Sequence, residues 1–273
     1  MLITGAARGI GAALARRLHD GGARVALTGL EPELLEQAAR SCGGATWHVC
    51  DVTDREAVDA AVSSSVKALG GLDVVVANAG VAGQLPIVGG NPEVMERTLQ
   101  VNVMGVYNTL RAAGPHISHE RGYALAISSL AAALHLPLLG AYCASKAAVE
   151  ALGNSLSAEL RPSGARVGVA YFAELDTEMT TRGFATQAAA KLVGKNPLVR
   201  TSKLEVGIDA LERGIARRSR RIVAPWWVAG VLPIRMGAPP VIDRLFERRL
   251  PEVLEIARRE NTGLTTPQPG PRA

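Results

Sequence analysis

Short apolar runs alternate with amphipathic helical runs along most of this chain, and that alternation leaves few architectures open. The apolar runs are Leu2–Thr4, Arg24–Thr28, Thr46–Cys50, Leu72–Ala77, Tyr123–Ser128, Arg166–Tyr171 and Arg221–Ala224. Helical runs between them cover Ile10–Asp20, Pro32–Arg40, Pro92–Ala113 and Tyr142–Leu160. Another places Val58, Ala61, Val62, Val66 and Leu69 at helical spacing after the cap-like pair Thr53-Asp54. Strands that are apolar throughout need cover on both faces. The expected fold is α/β: a three-layer, doubly wound parallel sheet of about seven strands, Rossmann-type, with helices on both faces. A chain of 273 residues can bury one such core. Only Leu2 and Ile3 precede Thr4-Gly5, so the first strand is expected to be short or to begin upstream of Met1.

The first strand runs into Thr4-Gly5-Ala6-Ala7-Arg8-Gly9-Ile10-Gly11, which opens the first helix. Glycines there allow a tight turn and a close approach of backbone to phosphates. The helix N-terminus then offers free N–H groups to a pyrophosphate. The expectation is dinucleotide binding at Gly5, Arg8, Gly9, Ile10 and Gly11.

Tyr142 and Lys146 lie four residues apart, on one helix face. A free phenol titrates near ~10, too high for a base at neutral pH. An adjacent ammonium favours the phenolate. The pair therefore reads as a proton-transfer device.

The glycine spacing G-x-x-x-G-x-G resembles that of the short-chain dehydrogenases/reductases. Asp51-Val52, Asn78-Ala79-Gly80, Asn102 in "VNVMG", Ser129 after "AIS" and Tyr142-x-x-x-Lys146 follow in the family's order. The likeness runs from Met1 to about Thr177 and, more weakly, to Ala224. It implies that Tyr142 moves the substrate hydroxyl proton and that Lys146 bonds the nicotinamide ribose. It implies that Ser129 orients the substrate oxygen and that Asn102 helps hold a water joining Lys146 to solvent. Ser128 is the neighbouring alternative to Ser129, but a strand turns it to the opposite face. Asp51 and Val52 would meet the adenine, Asn78, Ala79 and Gly80 the ribose, and Thr177 the carboxamide. The implied activity is hydride transfer between NAD(P) and a hydrophobic secondary alcohol or ketone. The alternatives are a catalytically weak nucleotide-binding sensor and a membrane-peripheral interaction protein.

The second strand ends Thr28-Gly29-Leu30-Glu31, with Gly29 where NAD-selecting relatives carry Asp. Arg8 resembles the basic residue that grips a 2′-phosphate. The sequence leans to NADP(H), with NAD(H) as the alternative, and reads Glu31 first as an exposed first-turn helix residue and second as an acceptor for the ribose 2′-OH.

Phe172-Ala173 stands where the family carries Pro-Gly, and Thr177 keeps its place. Thr177 to about Ser202 falls where the family has its substrate lid, and few charges lie between Ala185 and Val193 apart from Lys191, which suggests an apolar substrate. Residues 1–224 read as the cofactor-binding and catalytic domain. Residues 225–260 read as an extension packed on it, with two Trp and an Arg-rich helix Val241–Arg259, and 261–273 as a disordered tail. From Glu212 onward, twelve Arg, no Lys and six acidic residues leave a net charge of +6. Trp beside Arg suits pocket cover, a dimer surface or peripheral contact with a membrane. No nucleic-acid motif accompanies the charge. The family likeness suggests a homodimer or homotetramer. Cys42, Cys50 and Cys143 form no ligand or disulfide pattern, and no leader precedes the first strand, so the expected setting is the cytoplasm. No metal site is expected.

Overall fold

The computed structural model describes residues 1–183, 186–194, 201–260, 262–266 and 268. The strands are β1 (Leu2–Thr4), β2 (Ala26–Gly29), β3 (Thr46–Val49), β4 (Val74–Ala77), β5 (Tyr123–Ile127), β6 (Arg166–Phe172) and β7 (Arg221–Ala224). All neighbours pair in parallel, in the order β3-β2-β1-β4-β5-β6-β7. The helices in chain order begin with α1 (Gly9–Asp20), α2 (Pro32–Ser41), α3 (Arg55–Leu69), α4 (Pro92–Leu99), α5 (Gly105–Ile117) and α6 (Gly140–Glu159). They continue with α7 (Glu178–Gly183), α8 (Gln187–Val193), α9 (Leu204–Ala216), α10 (Val228–Val231), α11 (Ala238–Phe246) and α12 (Leu250–Glu260). Leu14, Leu18, Leu35, Leu211 and Ile215 from α1, α2 and α9 bury one face of the sheet. Val58, Val62, Leu110, Ile117 and Val149 from α3, α5 and α6 bury the other. The doubly wound expectation is borne out.

Strand order reverses between β1 and β4, and there the strand ends open a crevice. Arg17 of α1 bonds Asp209 and Glu212 of α9 at 2.6 and 2.9 Å, tying down the helix that follows the glycine turn.

Three segments depart from the sequence expectation. The run Pro92–Ala113 is two α-helices separated by a π-helical turn, Gln100–Met104. The Val241–Arg259 helix is broken between α11 and α12. Pro251 has no N–H to give, and its ring would clash with the Glu247 carbonyl in a continuous helix. Residues 262–266, placed by composition in a disordered tail, are tied to the loop after β4. Thr265 N–H donates to the Ala82 carbonyl at 2.9 Å, and Ala82 N–H donates to Thr265 Oγ1 at 3.0 Å. The remaining tail residues, 261, 267 and 269–273, and residues 184–185 and 195–200 of the expected lid, lie outside the described residues.

Residues 225–260 pack in two places. Val228 sits against Val169 and Tyr171 of β6. Ile242 and Phe246 of α11 pack with Leu138 and with α8 and α12 through Leu192 and Val253.

Candidate active site

The turn after β1 does what its glycines allow. Gly5 has φ +64, and a Cβ there would lie 2.7 Å from Ala79 Cα. A Cβ on Gly11 would lie 2.2 Å from the Gly5 carbonyl oxygen. The turn thus seats against the loop after β4, where Asn78 Nδ2 donates to the carbonyls of Thr4 and Gly5 at 2.9 and 3.1 Å. Arg8 stands at the N-cap of α1 in an extended conformation and no side chain caps the helix. The first-turn N–H groups face the crevice without a side-chain acceptor, an arrangement suited to a pyrophosphate.

Asp51 follows β3 and lines the same crevice. Its Oδ1 accepts from Thr53 N–H and Thr53 Oγ1 at 2.9 and 2.8 Å, and its Oδ2 from Arg97 at 2.8 Å. Burial opposes the charge, but the bonds from Thr53 and Arg97 outweigh it and hold the carboxyl below its ordinary value. Arg97, on α4, went unread in the sequence, since nothing local marks it as Asp51's partner. Val52 is buried, and Asn78, Ala79 and Gly80 line the crevice. A Cβ on Gly80 would lie 3.2 Å from Asn102 Oδ1 and 3.5 Å from Lys146 Nζ, so this glycine keeps the floor low beside the catalytic candidates.

Arg8 is paired with two acidic side chains. Its guanidinium pairs with Glu31 at the end of β2 and with Glu178 of α7, the latter at 3.1 Å. Glu31 lines the crevice, the placement its second reading as a 2′-OH acceptor requires.

The catalytic candidates converge at the ends of β4, β5 and β6. Tyr142 and Lys146 lie on one face of α6, and Lys146 Nζ sits 5.5 Å from the centre of the Tyr142 ring. Lys146 is buried and donates to the Ile127 carbonyl at 2.9 Å. Ser129 caps the short turn after β5 through Ala131 N–H at 3.1 Å, donates to the Phe172 carbonyl at 3.3 Å, and lines the cavity with Tyr142, whose phenolate its hydroxyl favours. Ser128 points the other way, donating to the Lys146 carbonyl at 2.8 Å, as the strand alternation required.

Burial pushes the Tyr142 phenol up to about 12, with the neighbouring Ser129 hydroxyl working against it. Burial brings Lys146 down to about 8. The sequence reading had the ammonium lowering the phenol. In the folded chain, desolvation dominates both groups, and the Ser129 hydroxyl opposes it at Tyr142. Asn102 sits in the π-helical turn and is fully buried. Its Oδ1 accepts from Val81 N–H at 2.8 Å, and its Nδ2 donates to the Val81 carbonyl and to Ser145 Oγ, each at 2.9 Å. Its side chain thus anchors the loop after β4 to α6.

Phe172 keeps the N–H that a proline in its place would lack. Ala173 N–H donates to the Ala224 carbonyl at 3.0 Å, so β6 runs on through Phe172. Thr177 directly precedes α7, with Thr180 N–H directed at its Oγ1 at 3.4 Å, and lines the crevice. Glu174 accepts from Thr201 Oγ1 at 2.9 Å.

Arg8, Asp51, Ser129, Tyr142, Lys146 and Thr177 line one cavity of about 940 Å³, whereas Asn102 and Gly11 are not among its lining residues. Its far wall is apolar: Leu134 and Leu136 from the loop before α6, Val231, and Ile242 and Phe246 of α11. Thr265 and Thr266 of the C-terminal strap close the side next to Ala82. Among the described residues no cluster of His, Cys, Asp or Glu could hold a metal ion.

The family model described as short chain dehydrogenase matches residues 1–188. Dehydrogenase/reductase SDR family member 7B of Bos taurus is 35% identical over 180 residues, 62% of this chain and 55% of that protein. L-fucose dehydrogenase of Oryctolagus cuniculus is 37% identical over 171 residues, 61% of this chain and 59% of that protein. The chain thus spans a little over half the length of these two curated relatives. A short chain dehydrogenase from Mycobacterium paratuberculosis, solved bound to NAD, is 27% identical with a TM-score of 0.71, covering 81% of this chain and 94% of that one.

Proposed function

This chain belongs to the short-chain dehydrogenase family, and from that premise we propose that it is an NAD(P)-dependent oxidoreductase acting on a hydrophobic secondary alcohol or ketone. The observation that carries the reading is the meeting of Tyr142, Ser129 and Lys146 in the cavity that the glycine turn opens. The nicotinamide, when bound, supplies the hydride chemistry. Everything else is done by the chain. Ser129 Oγ holds the substrate oxygen against Tyr142. The Tyr142 hydroxyl gives its proton to a ketone oxygen or takes one from an alcohol. Lys146 holds positive charge beside the ring and opposes the cost of forming the phenolate. Leu134, Leu136, Ile242 and Phe246 exclude water and favour an apolar substrate.

Tyr142→Phe should lower turnover by about 10³-fold, within the range for a lost general acid–base, while dinucleotide binding persists. Retained turnover would remove Tyr142 from the chemistry. Binding of dinucleotide by the wild-type chain, with no alcohol or ketone oxidised or reduced, would support the sensor reading instead.

For the cofactor, the pairing of Arg8 with Glu31 and Glu178 reverses the lean taken from sequence. A 2′-phosphate would meet two carboxylates for one guanidinium, whereas a ribose 2′-OH can donate to Glu31. NAD(H) is therefore the favoured cofactor. Glu31→Gln should raise the NADP(H)/NAD(H) ratio of kcat/KM about tenfold, one lost charge contact being worth roughly 1.4 kcal/mol. An unchanged ratio would show that Glu31 does not select.

A further inference from the structure

Among the described residues twelve large apolar side chains are exposed, and six of them fall between Trp226 and Leu245. Met236 is 88% and Trp226 83% exposed, with Ile234, Val241 and Leu245 beside them in sequence. A monomer in water gains nothing from such a concentration, which marks a surface that meets another phase or partner. The exposed stretch runs through α10, the 3₁₀ turn Leu232–Gly237 and α11. Arg235 fastens the turn to α6 through Glu150, at 3.0 and 2.8 Å to its two oxygens, so the apolar side chains stand on an anchored element.

The same stretch forms the mouth of the cavity. Ile242 and Phe246 face inward and are buried, one turn apart on α11. Val241 and Leu245, each one residue earlier, are exposed. Leu245 and Trp227 are both exposed and part of the cavity wall. The apolar lining therefore continues onto the outer surface without a polar collar at these positions.

Charge distinguishes the candidate occupants. Trp226–Leu250 carries Arg244, Arg248 and Arg249 against Asp243 and Glu247, all five exposed, while the charge of Arg235 is met by Glu150. A twofold-related copy of this chain would bring arginine-rich faces together. An anionic lipid surface complements them, with Trp at the depth of the headgroups. No helix among the described residues is long and apolar enough to cross a membrane, so the element suits lying on a bilayer.

We propose that the Trp226–Leu250 face docks on an anionic bilayer, with the cavity mouth turned towards the acyl chains. An apolar alcohol or ketone dissolved in the lipid then reaches Tyr142 without crossing water. The route of the substrate rests on the function proposed above; the docking does not.

The test is sedimentation of the full chain with vesicles of phosphatidylcholine alone and of phosphatidylcholine with phosphatidylserine, at low and moderate salt. Binding should require phosphatidylserine, weaken with salt, and fall about tenfold or more in the double variant Trp226→Glu, Met236→Glu. Arg244→Glu should weaken it in the same direction. Neither variant should change the melting temperature or the turnover of a short water-soluble ketone, because these side chains point away from the core. No sedimentation with phosphatidylserine vesicles at low salt would overturn the proposal. So would light scattering showing that the wild type self-associates and the double variant does not, which would assign the face to a second copy. Vesicle binding is read without turnover, so an inactive but vesicle-bound chain would sink the oxidoreductase reading and leave the docking standing.

Discussion

The two walls of the cavity are made by different means. On the dinucleotide side, backbone does the work: Gly5 and Gly11 leave room where any Cβ would strike main-chain atoms of Ala79 and of Gly5 itself. On the substrate side, side chains from late in the sequence do it, with Phe246 and Ile242 filling space against Leu138, Leu192 and Val253. A backbone cradle admits few residue types at each position. A wall of packed aliphatic side chains admits many, provided the volume is kept. The first is therefore rigid in sequence and the second is free to follow a substrate.

Gly5→Ala attacks the first wall and should have the largest effect in this comparison. An alanine at φ +64 carries backbone strain, and its Cβ at 2.7 Å from Ala79 Cα forces two loops apart. Strain and overpacking together come to about 4 kcal/mol, or roughly a 1,000-fold loss of dinucleotide affinity by titration calorimetry. Affinity within a factor of a few of wild type would mean that the turn is not the cradle.

Ser129→Ala tests the point where the walls meet. Losing a hydroxyl that holds developing charge should lower kcat/KM about 100-fold. A second readout separates this role from mere packing. Ser129 lowers the Tyr142 pKa against the burial that raises it to about 12. Without that hydroxyl the phenol holds its proton to higher pH, so the rise of alcohol oxidation with pH should move in the alkaline direction. An unmoved profile with a uniformly reduced rate would leave Ser129 as a positioning cap on the turn after β5.

The same contrast explains what could be read from the sequence. All seven strands, the glycine turn, Asn78-Ala79-Gly80 and the Tyr142/Lys146 spacing announce themselves, because backbone geometry and helix periodicity constrain residue type locally. Arg97 could not be read as Asp51's partner, because the contact joins residues 46 apart through tertiary structure alone. Nor could the π-helical turn at Asn102, since the apolar pattern of Pro92–Ala113 hides one extra residue in a turn. The strap at Thr262–Thr266 looked unstructured because its order comes from bonds to Ala82 and Gln84, not from its own composition. The sign of the Tyr142 shift was missed for a related reason: spacing shows that a cation is near, but not how much water the fold removes.

Phe246→Ala carries the comparison to its gentlest prediction. Phe246 is nearly inaccessible in the cluster of α8, α11 and α12, so truncation should cost roughly 3 kcal/mol of stability and lower the melting temperature. The space it leaves opens into the substrate end of the cavity, and KM for an apolar ketone should rise about tenfold, as for a modest loss of apolar contact. Dinucleotide affinity should hold within about twofold, because no residue of the glycine turn belongs to that cluster. If KM and dinucleotide affinity weakened by equal factors, the late segments would be supporting the cradle as well. The distinction between a backbone-built wall and a side-chain-built one would then fail at its weakest joint, the strap that runs from α12 to Ala82.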